Sequence, residues 1–187
     1  MEDLRTKRTY KLLKDALFEL LTKQSFDSIK VSDICDLAMV HRTTFYTHFS
    51  DKYELLEYCI REIEQEIILN MKDNNYTNRR EFYTNMIMNV LTYISGNKKF
   101  FKLLLKKNEE TNFFNIFTNS CISCIHEMLE EEELSGIKHY MSIEVISNFY
   151  SGAVISTIVW WLKTNSKLNE KELCENLITL IFDNPHD

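Results

Sequence analysis

The sequence predicts an all-α protein of about nine helices, and three observations favour this fold class. Glycine and proline, which most often interrupt helices and form tight turns, are scarce: the 187-residue chain has three glycines and one proline. The proline, Pro185, is near the C-terminus and interrupts nothing. Apolar residues recur at helical spacing along most of the chain. We therefore expect a helical protein with short polar loops and a sizeable core.

Four helices are expected in the first third of the chain. They span residues 4–23, 31–38, about 41–48, and 51 to about 71. The first has basic residues in its first half and an apolar face in its second half. The third directs Phe45 and Phe49, four residues apart, inward. Ser50 is suited to cap the fourth helix, and Asp51 and Glu54 suit the positive end of its dipole.

Five further helices are expected in the rest of the chain. They span about 79–95, 98–107, 110–130, 139–164 and 170–182. The polar sequence DNNYTN, residues 73–78, predicts a loop before the first of them, and Gly96 is expected to end that helix. The acidic stretch EEEELSG, residues 130–136, is expected to form a solvated turn.

The net charge of −6 is unevenly distributed. Residues 1–60 contain nine Lys/Arg and ten Asp/Glu, whereas residues 61–187 contain 13 and 18. The first 14 residues include five basic residues and only two acidic ones. The N-terminal third therefore permits a local DNA-facing patch, although charge distribution alone does not establish one.

The second and third helices, separated by two or three residues and flanked by longer helices, have the pattern of a helix-turn-helix. The second helix of such a motif enters the major groove, so its outward face needs hydrogen-bonding groups and its inward face needs apolar anchors. The outward side chains are Arg42, Thr43, Thr44, Tyr46 and Thr47. Lys52, in the first turn of the next helix, opposes that helix's dipole unless an anion such as phosphate is nearby. On periodicity alone, an ordinary amphipathic surface helix explains the same pattern.

Residues 5–65 resemble the DNA-binding region of TetR/AcrR-family transcriptional regulators. The resemblance is carried by DALFELLTK in the first helix, VSDICDLAMV in the second, and the long, specific stretch RTTFYTHFSDKYELL. It implies a DNA-binding domain at residues 1–65, with the helix-turn-helix at about 30–49. It also implies a C-terminal helical domain at residues 66–187 that dimerises and binds a small molecule.

Eight residues occupy positions that contact DNA in the family's pattern. They are Lys30, Arg42, Thr43, Thr44, Tyr46, Thr47, His48 and Lys52. The resemblance assigns Arg42 and Thr43 to bases and Thr47 to base or phosphate, and the others to phosphate. Two residues depart from the pattern. Met39 stands where the family commonly has glycine, and a methionine disfavours a left-handed backbone at that position. His41 stands where the family usually has a Ser or Asn that caps the third helix, the helix that reads DNA.

The helix at 139–164 is apolar nearly all round, so it needs two partners. One partner is its own domain, and the same helix of a second subunit would supply the other. The small residues that permit close approach are Ser147, Ser151, Gly152 and Ser156. The last helix offers a second seam of Leu173, Leu177, Leu180 and Ile181. A purely intramolecular core is the alternative.

Two other features of the chain are compatible with ordinary core packing. Aromatic and methionine side chains crowd its middle and would line an apolar cavity or form plain core: Phe82, Tyr83, Met86, Tyr93, Phe100, Phe101, Phe113, Phe114 and Phe117. Cys121 and Cys124, followed by His126, invite a metal or redox interpretation, but zinc normally takes four ligands and no second pair is near in the sequence. Buried thiols are favoured, and no ligand-contact residue is assigned.

The function predicted from these observations is sequence-specific DNA binding. We expect a cytoplasmic homodimer without cofactor, metal or catalytic residues that binds a near-palindromic duplex, a repressor released by a small-molecule effector. No membrane partner is expected, because the longest apolar run, residues 152–162, is shorter than the roughly 20 residues of a span. The alternative is a helical interaction protein or co-activator that keeps the helix-turn-helix but acts through protein contacts.

Overall fold

The computed structural model describes residues 4–69, 71, 76–164 and 166–183, and over these ranges the chain is helical, with no strand. The helices are α1 (Leu4–Lys23), α2 (Val31–Ala38), α3 (Arg42–His48), α4 (Lys52–Leu69), α5 (Arg79–Gly96), α6 (Lys98–Asn108), α7 (Asn112–Leu134), α8 (Ile143–Lys163) and α9 (Glu170–Phe182). The single-turn 3-10 helix Phe26–Ser28 lies between α1 and α2. The all-α prediction is confirmed. Pro185 and part of the predicted loop 73–78 lie outside the described residues.

Side-chain caps fix the starts of several helices. The Asn78 side chain accepts a hydrogen bond from the Glu81 N–H at α5, and Asn169 does the same for the Glu172 N–H at α9. At α4 the cap is Asp51 rather than the predicted Ser50: the Asp51 Oδ1 accepts hydrogen bonds from the N–H groups two and three residues ahead, at 2.8 and 2.9 Å. A carboxylate here also interacts favourably with the helix dipole.

Two predicted boundaries are wrong in the C-terminal half. Residues 130–134 continue α7 instead of forming a turn, because glutamate is a good helix former and Glu130, Glu131 and Glu133 are exposed to solvent. The chain turns just after, at Gly136, whose φ of 96° suits glycine. The next helix begins at Ile143 instead of about 139. The Ser142 side chain caps this start by accepting a hydrogen bond from the Val145 N–H.

The described residues form two compact units. Unit 1 runs to Glu62 and includes Leu103–Phe117; unit 2 comprises Ile63–Lys102 and the chain from Thr118 onward. The core of unit 1 is built from fully buried side chains, among them Leu13, Leu17, Leu21, Phe26, Ile34, Phe45, Leu55 and Leu56. Each such side chain contributes about 1.5–3 kcal/mol when it leaves water. Because α2 packs against both α1 and α3, this core also holds the two short helices in place.

In unit 2, α5 packs along α9, with Leu91 and Leu177 buried between neighbouring helices. By length and composition, α8 is also suited to crossing a membrane. Its window for such a span is 28% buried. The C-terminal end of α8 packs within unit 2: Trp161 is buried, its indole N–H donates to the Leu168 carbonyl at 2.9 Å, and the Lys98 Nζ lies 4.3 Å from the centre of its ring.

Candidate nucleic-acid interface

Helix α3 has an exposed polar side and a buried aromatic side. Phe45 is fully buried and Phe49 is 4% exposed, as predicted for the inward stripe. Tyr46 is 57% exposed, and Arg42, Thr43 and Thr47 are also exposed, whereas Thr44 and His48 are half-buried. The helix therefore presents hydrogen-bonding groups to solvent while its phenylalanines fix it to the core.

An aromatic cluster supports the end of α3 from two other helices. The ring of Tyr10 in α1 lies 5.1 Å from the His48 ring and 5.0 Å from the Phe49 ring, centre to centre. Tyr58 in α4 packs 4.9 Å from the same Tyr10 ring. Edge-to-face contacts of this kind contribute about 0.5–1.5 kcal/mol beyond burial. Sequence reasoning missed Tyr10, although its spacing of three and seven from buried Leu13 and Leu17 indicates an inward position.

The turn between α2 and α3 contains a left-handed residue that is not glycine. Met39 has φ 53° and ψ 40°, so the expectation that methionine would avoid this conformation is wrong. A side chain in this region costs roughly 1–2 kcal/mol. The conformation lets the following N–H, that of Val40, reach back to the Cys35 carbonyl at 3.0 Å and end α2, while the Met39 side chain is 93% exposed.

Helix α3 starts without a side-chain cap. His41 has extended backbone angles of −64° and 142°, and its side chain makes no cap hydrogen bond. The expected weak start of the reading helix is confirmed. The start of α2 does have a side-chain hydrogen bond: the Asp33 carboxylate accepts from the Lys30 N–H at 2.9 Å. The Lys30 side chain itself remains exposed.

Lys52 serves as an internal clamp in unit 1. Its Nζ donates to the carbonyl oxygens of Phe26 (2.8 Å), Asp27 (3.1 Å) and Ile29 (2.8 Å). It also lies 4.7 Å from the centre of the Phe26 ring. Partial burial lowers the pKa of Lys52, with the nearby carboxylates of Asp27 and Asp51 acting in the opposite direction.

This geometry revises the role expected of Lys52. An ammonium has three N–H donors, and all three are matched by carbonyl oxygens. A phosphate contact would have to replace one of these hydrogen bonds. The sequence pattern gave no sign of this, because the three carbonyls belong to a turn more than 20 residues earlier in the chain.

A second residue missed by the sequence analysis is Asn108, the last residue of α6. It is 1% exposed, and its amide bonds to three backbone groups, which include the Phe26 N–H. The available signal was its spacing of four from Leu104, which places a polar residue on the otherwise apolar buried face of α6.

One exposed stripe of α8 is apolar or small, with the exposed polar residues Glu144 and Asn148 beside it near the start of the helix. Val145, Phe149 and Trp160 are 58%, 68% and 48% exposed. Between them lie exposed Gly152, Ala153 and Ser156. The predicted seam differs in part: Ser147, Ser151, Leu173 and Leu177 are buried within unit 2, Ile181 is half-buried, and Leu180 is exposed.

Unit 2 also contains two open clefts. One of about 250 Å³ is lined by Phe82, Tyr83, Met128, Glu131, Glu132 and Ser135. Beside it the Arg79 guanidinium donates two hydrogen bonds, of 3.0 and 2.8 Å, to the Glu132 carboxylate. Burial, together with the negative charge of Glu132, raises the pKa of Tyr83 to about 12. A second cleft of about 480 Å³ lies between the end of α5 and the start of α9.

Burial raises the pKa of Cys121 to about 12 and of Cys124 to about 11, and the nearby Glu64 carboxylate acts in the same direction. Their environment thus favours the neutral thiol form, as expected for buried structural cysteines. Within the residues that the structure describes, no three His, Cys, Asp or Glu side chains are grouped as metal ligands.

An exposed polar helix anchored by two phenylalanines and preceded by a short helix across a tight turn defines a helix-turn-helix protein. Sequence comparison agrees: residues 13–59 match the profile described as "Bacterial regulatory proteins, tetR family", and residues 81–183 match a "Transcriptional regulator C-terminal region" profile of the same family. The chain belongs to the TetR family of transcriptional regulators.

One curated protein and two solved structures illustrate what this chain is similar to. The HTH-type dhaKLM operon transcriptional activator DhaS of Lactococcus lactis is 25% identical over 138 residues, which cover 73% of this chain and 68% of that protein. The crystal structure of Lin0861 from Listeria innocua superposes with a TM-score of 0.74 at 22% identity, covering 97% of this chain and 93% of that one. Bacillus subtilis FadR, in complex with stearoyl-CoA, gives a TM-score of 0.67 at 19% identity, with coverages of 95% and 100%.

Proposed function

We propose that this regulator is a cytoplasmic homodimer that binds a near-palindromic DNA operator through α3 of each subunit. The observation that carries the proposal is the two-sided character of α3, with Tyr46 and Arg42 exposed over buried Phe45 and Phe49. Exposed hydrogen-bonding side chains on a rigidly anchored helix are what major-groove recognition requires. The two half-sites are then about one helical turn apart, or a multiple of it.

The residues proposed to contact DNA are those that the family resemblance assigns, except Lys52. Arg42 and Thr43 begin α3 and are assigned to base edges; Thr47 is assigned to either a base or a phosphate. Thr44, Tyr46, His48 and Lys30 are assigned to phosphates. The exposed basic residues of α1, Arg5, Lys7, Arg8 and Lys11, supply further positive charge in unit 1. Lys52 is assigned to positioning because its donors are engaged.

The proposed dimer contact is the exposed face of α8. A contiguous apolar stripe is expected to be covered in the functional assembly. The small residues at its centre, Gly152, Ala153 and Ser156, permit a close approach of two copies, and the exposed side chain of Leu180 in α9 adds to the surface. A two-fold contact would pair each stripe with itself.

The proposed mode of control is repression released by a small molecule. An effector that binds one conformational state of the dimer better than the other shifts the population and thereby the affinity for DNA. The FadR structure contains stearoyl-CoA, so acyl-CoAs belong in any ligand screen with this chain. Moving the two states from 1:99 to 99:1 requires about 5.5 kcal/mol of differential binding.

A second candidate function is activation. It is favoured by the similarity to DhaS, a transcriptional activator, over 73% of this chain. An activator or co-activator would use the same helix-turn-helix but require a protein contact. Transcription in vitro from a promoter with the bound site separates the two: a repressor lowers transcript yield, whereas an activator raises it.

The central experiment is selection from a random duplex pool, followed by footprinting upstream of the protein's own gene. We expect a near-palindromic site protected on one face of the duplex, and a sedimenting species of two subunits without DNA. Failure to enrich any sequence, at low salt and with folded protein, would show that the chain does not act through sequence-specific DNA binding.

A further inference from the structure

Phe26 is held by hydrogen bonds on both sides of its backbone. Its N–H donates to the Asn108 Oδ1 at 2.7 Å, and its carbonyl accepts from the Lys52 Nζ at 2.8 Å. Its ring is fully buried and packs edge-on to Tyr53, 5.3 Å between centres. The position of this turn is therefore set by neighbouring helices.

The Asn108 amide joins three segments of unit 1. Besides accepting from Phe26, its Nδ2 donates to the carbonyl of Leu21 in the last turn of α1 and to that of Leu104 in α6, both at 3.0 Å. A leucine would fill the same space without the cost of burying a polar group. The amide adds direction, because its hydrogen bonds fix the turn relative to α1 and α6 in one arrangement.

A second amide ties the same turn to the start of α7. The Asn112 Nδ2 donates to the Asp27 Oδ1 at 2.9 Å. Asn108 and Asn112 both belong to Leu103–Phe117, the segment that unit 1 takes from the later part of the chain. This segment thus contacts the turn through two separate side chains.

The turn leads directly into the helix-turn-helix. Its last carbonyl held by Lys52, that of Ile29, is two residues before the first residue of α2, and α2 packs against α3. A displacement of the turn is therefore passed to the reading helix. Base recognition depends on hydrogen-bond geometry, whereas phosphate attraction tolerates displacement.

We propose that Asn108 is a positioning residue for DNA recognition: it holds the turn before α2 so that α3 meets base edges in register. The proposal rests on the proposed DNA-binding function. It predicts that loss of the amide lowers the preference for the correct sequence more than it lowers binding to duplex DNA in general.

The test uses Asn108→Asp in the full-length protein. A protonated carboxyl can still accept from the Phe26 N–H and donate to one carbonyl, much as the amide does. An ionised carboxylate has no donor and is repelled by the Leu21 and Leu104 carbonyls. Burial raises the pKa of such a carboxyl, so its stabilising form is present at low pH and is lost as pH rises through that raised pKa.

The readout is the ratio of affinities for two duplexes, one selected by the wild type and one scrambled. At about pH 8.5, Asn108→Asp should lose about tenfold of this ratio relative to wild type, comparable to one lost base contact. At about pH 6 the carboxyl is expected to be protonated, and the ratio should return toward the wild-type value. Division by the wild-type ratio at each pH removes the contribution of the histidines.

Leu105→Ala is the matched control, because it removes buried packing from the same helix but no hydrogen bond to the turn. It should lower stability without a pH-dependent change in the ratio. If Asn108→Asp is unfolded at high pH, Asn112→Ala removes the exposed tie and should lower the ratio about threefold, the effect of one ordinary hydrogen bond.

An unchanged ratio in folded Asn108→Asp at both pH values, or in folded Asn112→Ala where the first variant unfolds, would overturn the positioning role. A loss that matches Leu105→Ala and does not recover at low pH would do the same. If the wild type selects no sequence, the proposed function itself fails. If the wild type selects a sequence and the variants keep the preference for it, only the positioning role fails, so the two failures are distinguishable.

Discussion

Replacement of Lys52 by methionine tests whether this lysine clamps unit 1 or contacts DNA. Methionine keeps most of the side-chain length and a good helix propensity but donates no hydrogen bond. The Asp27 and Ile29 carbonyls would lose the ammonium donor that reaches them in the folded protein. From the sequence alone the expected sign is the opposite, because removing a cation from the start of a helix stabilises it by roughly 0.3–1 kcal/mol.

The magnitude follows from the three hydrogen bonds. Each bond to a charged group contributes about 1.5–3 kcal/mol in favourable settings. Three terms offset this: partial exposure, which lets water replace some of the bonds; the relieved dipole; and up to about 2 kcal/mol of side-chain entropy regained on release. We expect a net loss of about 2 kcal/mol, or a melting temperature lower by about 4–8 °C for a chain of this size.

The assay is urea unfolding monitored by circular dichroism, with Lys30→Met as the matched control. Lys30 is likewise at the start of a helix, as the N-cap residue of α2, but its side chain is exposed, so only the small dipole effect should appear. DNA binding across a salt series completes the test. If the ammonium stays on the carbonyls, the slope of log affinity against log salt is unchanged, whereas two lost phosphate contacts per dimer make it shallower by about 1.8. Unchanged stability together with a shallower slope would refute the clamp.

Three further predictions concern other parts of the molecule. His41→Asn should supply the missing cap of α3 and stabilise the protein by about 0.5–1 kcal/mol in urea unfolding; no gain would show that the start of α3 is satisfied otherwise. Phe149→Glu, on the exposed face of α8, should shift sedimentation from dimer to monomer while helicity is kept, and a persistent dimer would place the interface elsewhere. Burial acts to raise the pKa of Glu62, but hydrogen bonds from Lys14 and Tyr58 lower it overall, so its contribution is present above the unfolded pKa and is lost as pH falls through the folded value. Because the pair is about one-third exposed, Glu62→Gln should cost less than about 1 kcal/mol at pH 7 and less still as pH falls through the folded pKa, and a cost that does not change with pH would exclude this linkage.

The sequence by itself determined the fold class, the nine α-helices found in the described part of the chain, and the two sides of α3. These properties depend on local periodicity and on the scarcity of glycine and proline, which are visible along the chain. Periodicity also placed Phe45 and Phe49 inward without reference to any distant residue. The turn predicted at 130–136 failed because a charged run is equally compatible with an exposed helix.

Only the tertiary structure decided which polar side chains are engaged. Lys52 is paired with carbonyls about 25 residues away in sequence, and Asn108 bonds to the Phe26 N–H across 82 residues. Spacing along a helix carries no information about such partners, because they depend on how separate helices pack. The same reason explains the seam on α8: composition indicated an apolar helix, but only packing revealed that Ser147 and Ser151 face inward while Phe149 and Trp160 remain exposed.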